Sequence, residues 1–211
     1  MIVVHHLNNS RSQRIVWMLE EMGLDYEIAH HARDAVTRLA PPELLQVHPL
    51  GKSPVIEDGG KVVAESGAIL EYLSERYGKG RFAPGRDTDQ WVDYIQWMHF
   101  AEGSAMLPLM LALYTGRLGE AGAPLWPRIQ SEIANHLGYV DKALAGRDFI
   151  VGDSLTCADA QIVFVLEAAD ASGALAPYAE ARRYLTAMQS RPAYRRSVDK
   201  GGPYDLGGNR R

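Results

Sequence analysis

One stretch constrains this chain more than any other: His48-Pro49-Leu50-Gly51-Lys52-Ser53-Pro54-Val55, followed by Glu65-Ser66-Gly67. His48-Pro49 and Leu50-Gly51 signal a turn. Pro54 opens a short apolar strand at Val55-Ile56, where its missing N–H costs no ladder bond further in. Asp58-Gly59-Gly60 is a hairpin turn, and Lys61 to Ala64 is the returning strand. Ile69, Leu70 and Leu73 then recur at helical spacing, with Ser66 as the expected N-cap. This order leaves an extended edge beside a helix start. A peptide-like ligand can pair with such an edge, and the positive end of the helix can hold a carboxylate. Pairing of that kind needs Ser53–Pro54 to be cis, with the Ser53 amide and carbonyl turned outward. Glu65 suits an ammonium group and Lys52 a second carboxylate. The complementary ligand is a short peptide with a free α-amino-carboxyl end and a second carboxylate.

Upstream, residues 2–7 read as an apolar strand and Asn8-Asn9-Ser10 as a loop. A helix is expected from about Ser12 to Met22, with Gly23 as its stop. Tyr26 to Ala29 forms a second strand, parallel to the first because a helix crosses between them. Residues 30–40 are irregular, and Pro41-Pro42 opens a short helix over Glu43–Val47. Downstream, 79–87 has the Gly/Pro content of a linker, and no strand signal of strength follows. Helical patterning runs from Thr88 to about Leu118, interrupted at Pro108. After a loop over Gly116–Pro127, helices are expected over 127–145, 156–172, 178–190 and 192–199. Thr156-Cys157-Ala158-Asp159 is a capping-box variant with Asp in place of Glu. The tail GGPYDLGGNRR is Gly-rich and reads as mobile.

Bulk properties exclude several classes. A chain of 211 residues with 46% hydrophobic content can bury a sizeable core. Its net charge of −4 has no basic stripe that would suit nucleic acid. The lone Cys157 permits no internal disulfide and fits a reducing compartment. No run reaches the roughly 18 apolar residues of a membrane span, and the N-terminal run lacks the basic segment of a signal peptide. These features point to the cytoplasm. Adjacent histidines, as in His5-His6 and His30-His31, point to opposite faces of a strand, and no HExxH or Cys/His cluster exists. No metal is expected.

HPLGKSPV…ESGAILEYL resembles the glutathione-binding half of the cytosolic glutathione transferase family, and HHLNNSRSQRIVWMLEEMGLDYE resembles that family's first strand and helix. The resemblance covers nearly the whole chain. It implies an α/β thioredoxin-like N-terminal domain over 1–78, the linker over 79–87, and an all-α helical C-terminal domain over 88–211 that carries the electrophile site. Glutathione has the form of the ligand described above and would be the cosubstrate, with no metal. The implied activity conjugates its thiolate to apolar electrophiles, a detoxification chemistry, and extends to glutathione-dependent peroxide reduction. Dehalogenation, isomerisation and non-catalytic binding of glutathione or an apolar ligand are the alternatives. The family forms two-fold dimers, and Trp91, Tyr94 and Trp97 on one helix would supply apolar contact surface.

The same resemblance assigns glutathione binding to Lys52, Ser53, Pro54, Glu65 and Ser66. Asn-Ser-Arg-Ser-Gln-Arg is similar to the serine-type motif, in which a Ser precedes the first helix and an Arg lies four residues on. Ser10 and Arg14 match those positions, while Ser12 and Gln13 replace the usual Pro and Cys. A hydroxyl there, beside a helix N-terminus, can lower a thiol's pKa from its ordinary 8.5 or so. Ser10 is the catalytic candidate. Asn9 and Ser12 are alternatives, and Ser10 or Ser12 can also serve as helix caps. The chain has no cysteine near residue 10, so the nucleophile must come from the cosubstrate. His99, Glu102 and Met106, spaced by three and four, are expected on one helix face lining the electrophile pocket. A partly buried histidine in ordinary helix packing is the competing reading of that face.

Overall fold

The computed structural model describes residues 1–202 and 204–207. Its first elements are β1 (Ile2–Leu7), α1 (Ser12–Met22), β2 (Tyr26–His31), α2 (Leu44–Val47), β3 (Val55–Asp58), β4 (Lys61–Ala64) and α3 (Ser66–Tyr77). They form a thioredoxin-like sheet in the order β2-β1-β3-β4. β1 and β2 run parallel, as a helical crossover requires, while β3 is antiparallel to both β1 and β4. β2 continues through His31, two residues beyond the expected strand. The alternation of β1 buries Ile2 and Val4, and Ile15, Val16 and Leu19 of α1 join Ile69, Leu70 and Leu73 of α3 in the core. Gly23 ends α1 in the left-handed region at φ 67°, which its missing Cβ permits.

The register sets where the loops meet. His5 pairs with Val55, and Val55 pairs with Ala64. The end of β1, the start of β3 and the end of β4 therefore lie at one end of the sheet. The loops carrying Ser10, Ser53 and Glu65-Ser66 all leave from that end.

The helices that follow are α4 (Asp89–Phe100), α5 (Met106–Gly116), α6 (Trp126–Ala143), α7 (Cys157–Ala171), α8 (Ala179–Ser190) and α9 (Pro192–Gly201). A π-helical turn over Ala101–Ala105 joins α4 to α5. The interruption thus falls before Pro108 and not at it. Pro108 is the third residue of α5 and offers no N–H to the turn before it, and that turn is the widened one. Gly119–Leu125, expected as loop, forms a 3-10 helix. At α7 the capping box is complete. Asp159 accepts from the Thr156 amide at 2.7 Å and hydroxyl at 3.0 Å, from the Ile150 amide at 2.8 Å and from the Tyr184 hydroxyl at 2.7 Å. Four donors satisfy a carboxyl that is wholly buried. Tyr94 and Trp97 are buried too, with Trp97 stacked on Tyr139 at 5.0 Å. They are core residues of this unit, so the apolar dimer surface expected from Trp91, Tyr94 and Trp97 is largely spent inside the fold.

Two compact units emerge, one of Met1–Ala83 with Gln189–Asp205, the other built on Pro84–Met188. The division at 83/84 falls within the 79–87 stretch. The return of 189–205 to the first unit differs from the expected grouping of 88–211. The cause is α9, which buries Ala193, Tyr194, Ser197 and Gly201 along one face. Trp17 meets Tyr194 edge to face at 5.4 Å, and Gln13 donates to Ser197 Oγ at 2.9 Å. Arg191 pairs with Glu21 at 2.6 Å, and Arg196 with Glu20 at 2.7 Å. The tail, expected as mobile, is fastened where described: Asn9 and Asp205 exchange two hydrogen bonds of 2.8 and 2.9 Å. Residues 203 and 208–211 lie outside the described residues.

Glu20 makes the attachment of α9 pH-dependent. Burial pushes its carboxyl up, but hydrogen bonds from Lys200, Tyr26 and Arg196 outweigh that and bring it from 4.5 to about 2. A depressed carboxylate contributes stability above its unfolded value and loses it as pH falls through the folded one. Thermal denaturation should therefore show wild type losing more stability than Glu20→Gln between about pH 4.5 and 2. Parallel curves for the two proteins would mean that Glu20 does not hold α9.

Candidate functional site

At the shared end of the sheet, Ser53 sits just before β3. Its bond to Pro54 is cis. The Ser53 hydroxyl donates to the His5 carbonyl at 2.8 Å and receives the Leu7 amide at 3.3 Å. Its side chain thus closes the end of β1, and its main chain lies beyond the first paired residue of the strand. Pro54 is buried, and Lys52 is exposed beside it.

Glu65 follows β4 at φ 68° and ψ 120°, outside the ordinary regions for a residue with a side chain. Such a conformation costs about 1–3 kcal/mol and tends to mark functional sites. The Glu65 carbonyl accepts the first bond of α3, from the Ile69 amide at 2.9 Å. Glu65 therefore occupies the cap position, and its exposed side chain makes no cap bond. Ser66, expected there, is instead the first helical residue. It is 4% exposed, and its hydroxyl receives Arg14 Nη1 at 3.1 Å. Arg14 is itself buried. A guanidinium thus stands behind the N-terminus of α3, adding positive charge where the helix end already favours an anion.

Ser10 is 6% exposed and Ser12 is wholly buried. Their hydroxyl oxygens are 2.8 Å apart, and Ser10 Oγ is 3.5 Å from Ser53 Oγ. Ser10 Oγ also receives the Ser12 amide at 3.2 Å, so Ser10 serves the helix start as well. Asn9 is held at φ 53° by Asp205 and by Arg33, whose Nη2 donates to the Asn9 carbonyl at 3.2 Å. Of the three alternatives, Ser12 is sealed from solvent and Asn9 is engaged by the tail.

The histidines form contacts that residue spacing did not reveal. His5 Nδ1 lies 3.1 Å from His31 Nε2, and His5 Nε2 lies 2.8 Å from Glu57. His6 faces the other way, with Nδ1 2.9 Å from Ser12 Oγ. Burial, with a lesser contribution from His30, pushes His6 down to about 4, although the Gly201 carbonyl opposes the shift by accepting a ring N–H. Parallel pairing of β1 with β2 brings the two histidine pairs together, a signal available only once that register is known. Among the described residues no group of three or more His, Cys, Asp and Glu is arranged to hold a metal ion.

His99, Glu102 and Met106 differ in burial. His99 is exposed, Glu102 half-buried in the π turn, and Met106 is 2% exposed. The wider turn between them shifts the helical phase that their spacing presumed.

Comparison with known proteins agrees with the fold. The family model described as glutathione S-transferase, N-terminal domain, matches residues 1–75. Its C-terminal counterpart matches residues 123–194. Glutathione S-transferase 3 of Schizosaccharomyces pombe is 37% identical over 215 residues, covering 95% of this chain and 88% of the relative. A crystal structure of a glutathione S-transferase from Actinobacillus pleuropneumoniae superposes with a TM-score of 0.89 at 36% identity, covering 98% of this chain and 95% of the other. A glutathione transferase homolog from Lodderomyces elongisporus, solved with two glutathione molecules per subunit, shares the fold with a TM-score of 0.79 at 19% identity, covering 93% and 96%. The chain belongs to the glutathione S-transferase family.

Gly201 tests the packing behind the site. A Cβ there would lie 3.0 Å from Gln13 Oε1 and 3.2 Å from His6 Cε1. Overpacking of this kind costs about 1–3 kcal/mol. Gly201→Ala should lower unfolding free energy by about that amount in denaturant titration. Unchanged stability would show that α9 does not press on His6.

Proposed function

We propose that the protein catalyses conjugation of glutathione, its cosubstrate, to apolar electrophiles. The observation that carries this reading is the convergence of Ser10, Ser53 and Ser66 at one end of the sheet, with Arg14 behind Ser66 and Glu65 and Lys52 exposed beside them. Glutathione would pair its backbone with Ser53 and follow the edge at Pro54. Its γ-glutamyl carboxylate would meet Ser66 and the start of α3, and its ammonium Glu65. Lys52 would take the glycyl carboxylate. The thiol would then reach Ser10, the proposed catalytic residue. Catalysis would come from stabilising the thiolate and positioning it. Glutathione bound to the Lodderomyces homolog supports the choice of ligand.

For the electrophile we retain His99 and Glu102 as polar groups and Met106 as an apolar wall seated in the helical core. The same thiolate would also support glutathione-dependent peroxide reduction. We further propose a homodimer whose contact excludes Tyr94 and Trp97, and a cytoplasmic location suited to the buried thiol of Cys157. A second reading, a glutathione binder without turnover, is favoured by one fact: the Ser10 hydroxyl is already engaged by Ser12.

Binding and turnover separate these readings. Hydrogen bonds to charged groups contribute about 1.5–3 kcal/mol. Glu65→Ala and Ser66→Ala should each weaken glutathione binding about ten- to a hundredfold by calorimetry. Ser10→Ala should keep the affinity but lose turnover of an aryl halide and of cumene hydroperoxide by a similar factor. Wild-type affinity in both binding variants would place glutathione elsewhere, and full turnover in Ser10→Ala would remove its catalytic role.

A further inference from the structure

We propose that Arg33 is a positioning residue for Ser10, fixing the peptide from which Ser10 projects by binding the carbonyls of Asn8 and Asn9. The inference rests on the glutathione reading above and adds the group that aims the proposed catalytic side chain.

The strand register brings these residues together. Leu7, at the end of β1, lies beside His31, at the end of β2, and the two strands run parallel. Asn8 and Asn9 therefore leave the sheet alongside Ala32 and Arg33. Arg33 Nε donates to the Asn8 carbonyl at 3.1 Å, and Nη2 donates to the Asn9 carbonyl at 3.2 Å. These two N–H groups share one edge of the planar guanidinium. Successive carbonyls of an extended chain point to opposite sides. Asn9 instead stands at φ 53°, and both oxygens meet the same cation. Two carbonyl dipoles aligned in that way repel each other, and a two-pronged cation relieves the repulsion. The remaining nitrogen, Nη1, donates to the Arg38 carbonyl at 3.1 Å.

The fork is itself held in place. Asp34 folds the loop beside it: its carboxylate accepts the Val36 amide at 3.0 Å and the Thr37 amide at 2.6 Å, and main-chain bonds join Asp34 to Arg38 and Leu39. That turn presents the Arg38 carbonyl to Nη1. The consequence reaches Ser10 through one planar peptide. In a trans peptide the C=O and N–H point in opposite directions. An Asn9 carbonyl turned to Arg33 therefore sends the Ser10 N–H away from it. From that fixed plane Ser10 extends toward Ser12 and Ser53, whose hydroxyl oxygens lie 2.8 and 3.5 Å from its own. Asp205 also holds Asn9, but only by the side chain, through two exposed bonds that water can replace. The guanidinium acts on the main chain, and two of its contacts are part-buried.

Arg33→Ala removes the fork, and Arg33→Lys keeps the charge on a single point donor that cannot span two carbonyls. In each, the pKa of the bound glutathione thiol, read from the ultraviolet absorbance of its thiolate against pH, should rise by about one unit. The kcat for an aryl halide should fall about tenfold, while KM for glutathione stays within about threefold. A role confined to stability would lower the melting temperature and leave the pH profile in place. Where Arg33→Ala does not fold, Arg33→Lys carries the test. Asp205→Ala, which releases only the Asn9 side chain, should leave the thiol pKa and kcat nearly unchanged. In the ligand-free protein the Ser10 amide resonance should move in both Arg33 variants. An unchanged thiol pKa in the folded Arg33 variants, or one raised as far in Asp205→Ala, overturns the assignment while leaving glutathione binding intact. Failure of the wild type to bind glutathione overturns the functional reading and this one together.

Discussion

The structure turns on the hydroxyl of Ser12. It is wholly buried, and it stands within hydrogen-bond distance of His6, Ser10 and both main-chain polar groups of Leu7. A buried hydroxyl without partners costs about 1–3 kcal/mol, so those distances are enforced. They lock the end of β1 to the first turn of α1. Ser10 is held between them, and Ser53 is bound to the same strand end by its own hydroxyl. Apolar packing of α1 and α3 supplies most of the stabilisation of the first unit, but this polar junction decides where its functional groups point.

The fold was legible where local chemistry and patterning agree. Pro54, the Gly59-Gly60 turn and the helical spacing of Ile69, Leu70 and Leu73 placed β3, β4 and α3 in order. The capping box at Thr156 and Asp159 placed α7. Less was legible where a tertiary partner decides. Ser66 looks like a cap, yet the backbone turns at Glu65 and Ser66 goes to Arg14, a residue 52 positions away. Pro108 marks an interrupted helix, but the irregularity lies one turn earlier, in the π turn between His99 and Met106.

Long-range pairing explains the remainder. Nothing in the pattern of 192–201 says that it packs on α1, because its basic residues read as a solvated face. Their partners, Glu20 and Glu21, lie some 170 residues earlier. Adjacent histidines cannot chelate within a pair, and their contacts run instead across strands and into α1. Gly201 joins the two features, because α9 seats it against the His6 ring.

The central claim is that glutathione lies at the end of the sheet shared by β1, β3 and β4. Backbone amide NMR during glutathione titration tests it most directly. The account predicts saturable shifts at Ser53, at Ser66 and Gly67, and at Ser10 and Ser12, with the hairpin at Gly59-Gly60 on the opposite end unchanged. Shifts confined to other parts of the chain, or none at saturating glutathione, would contradict it.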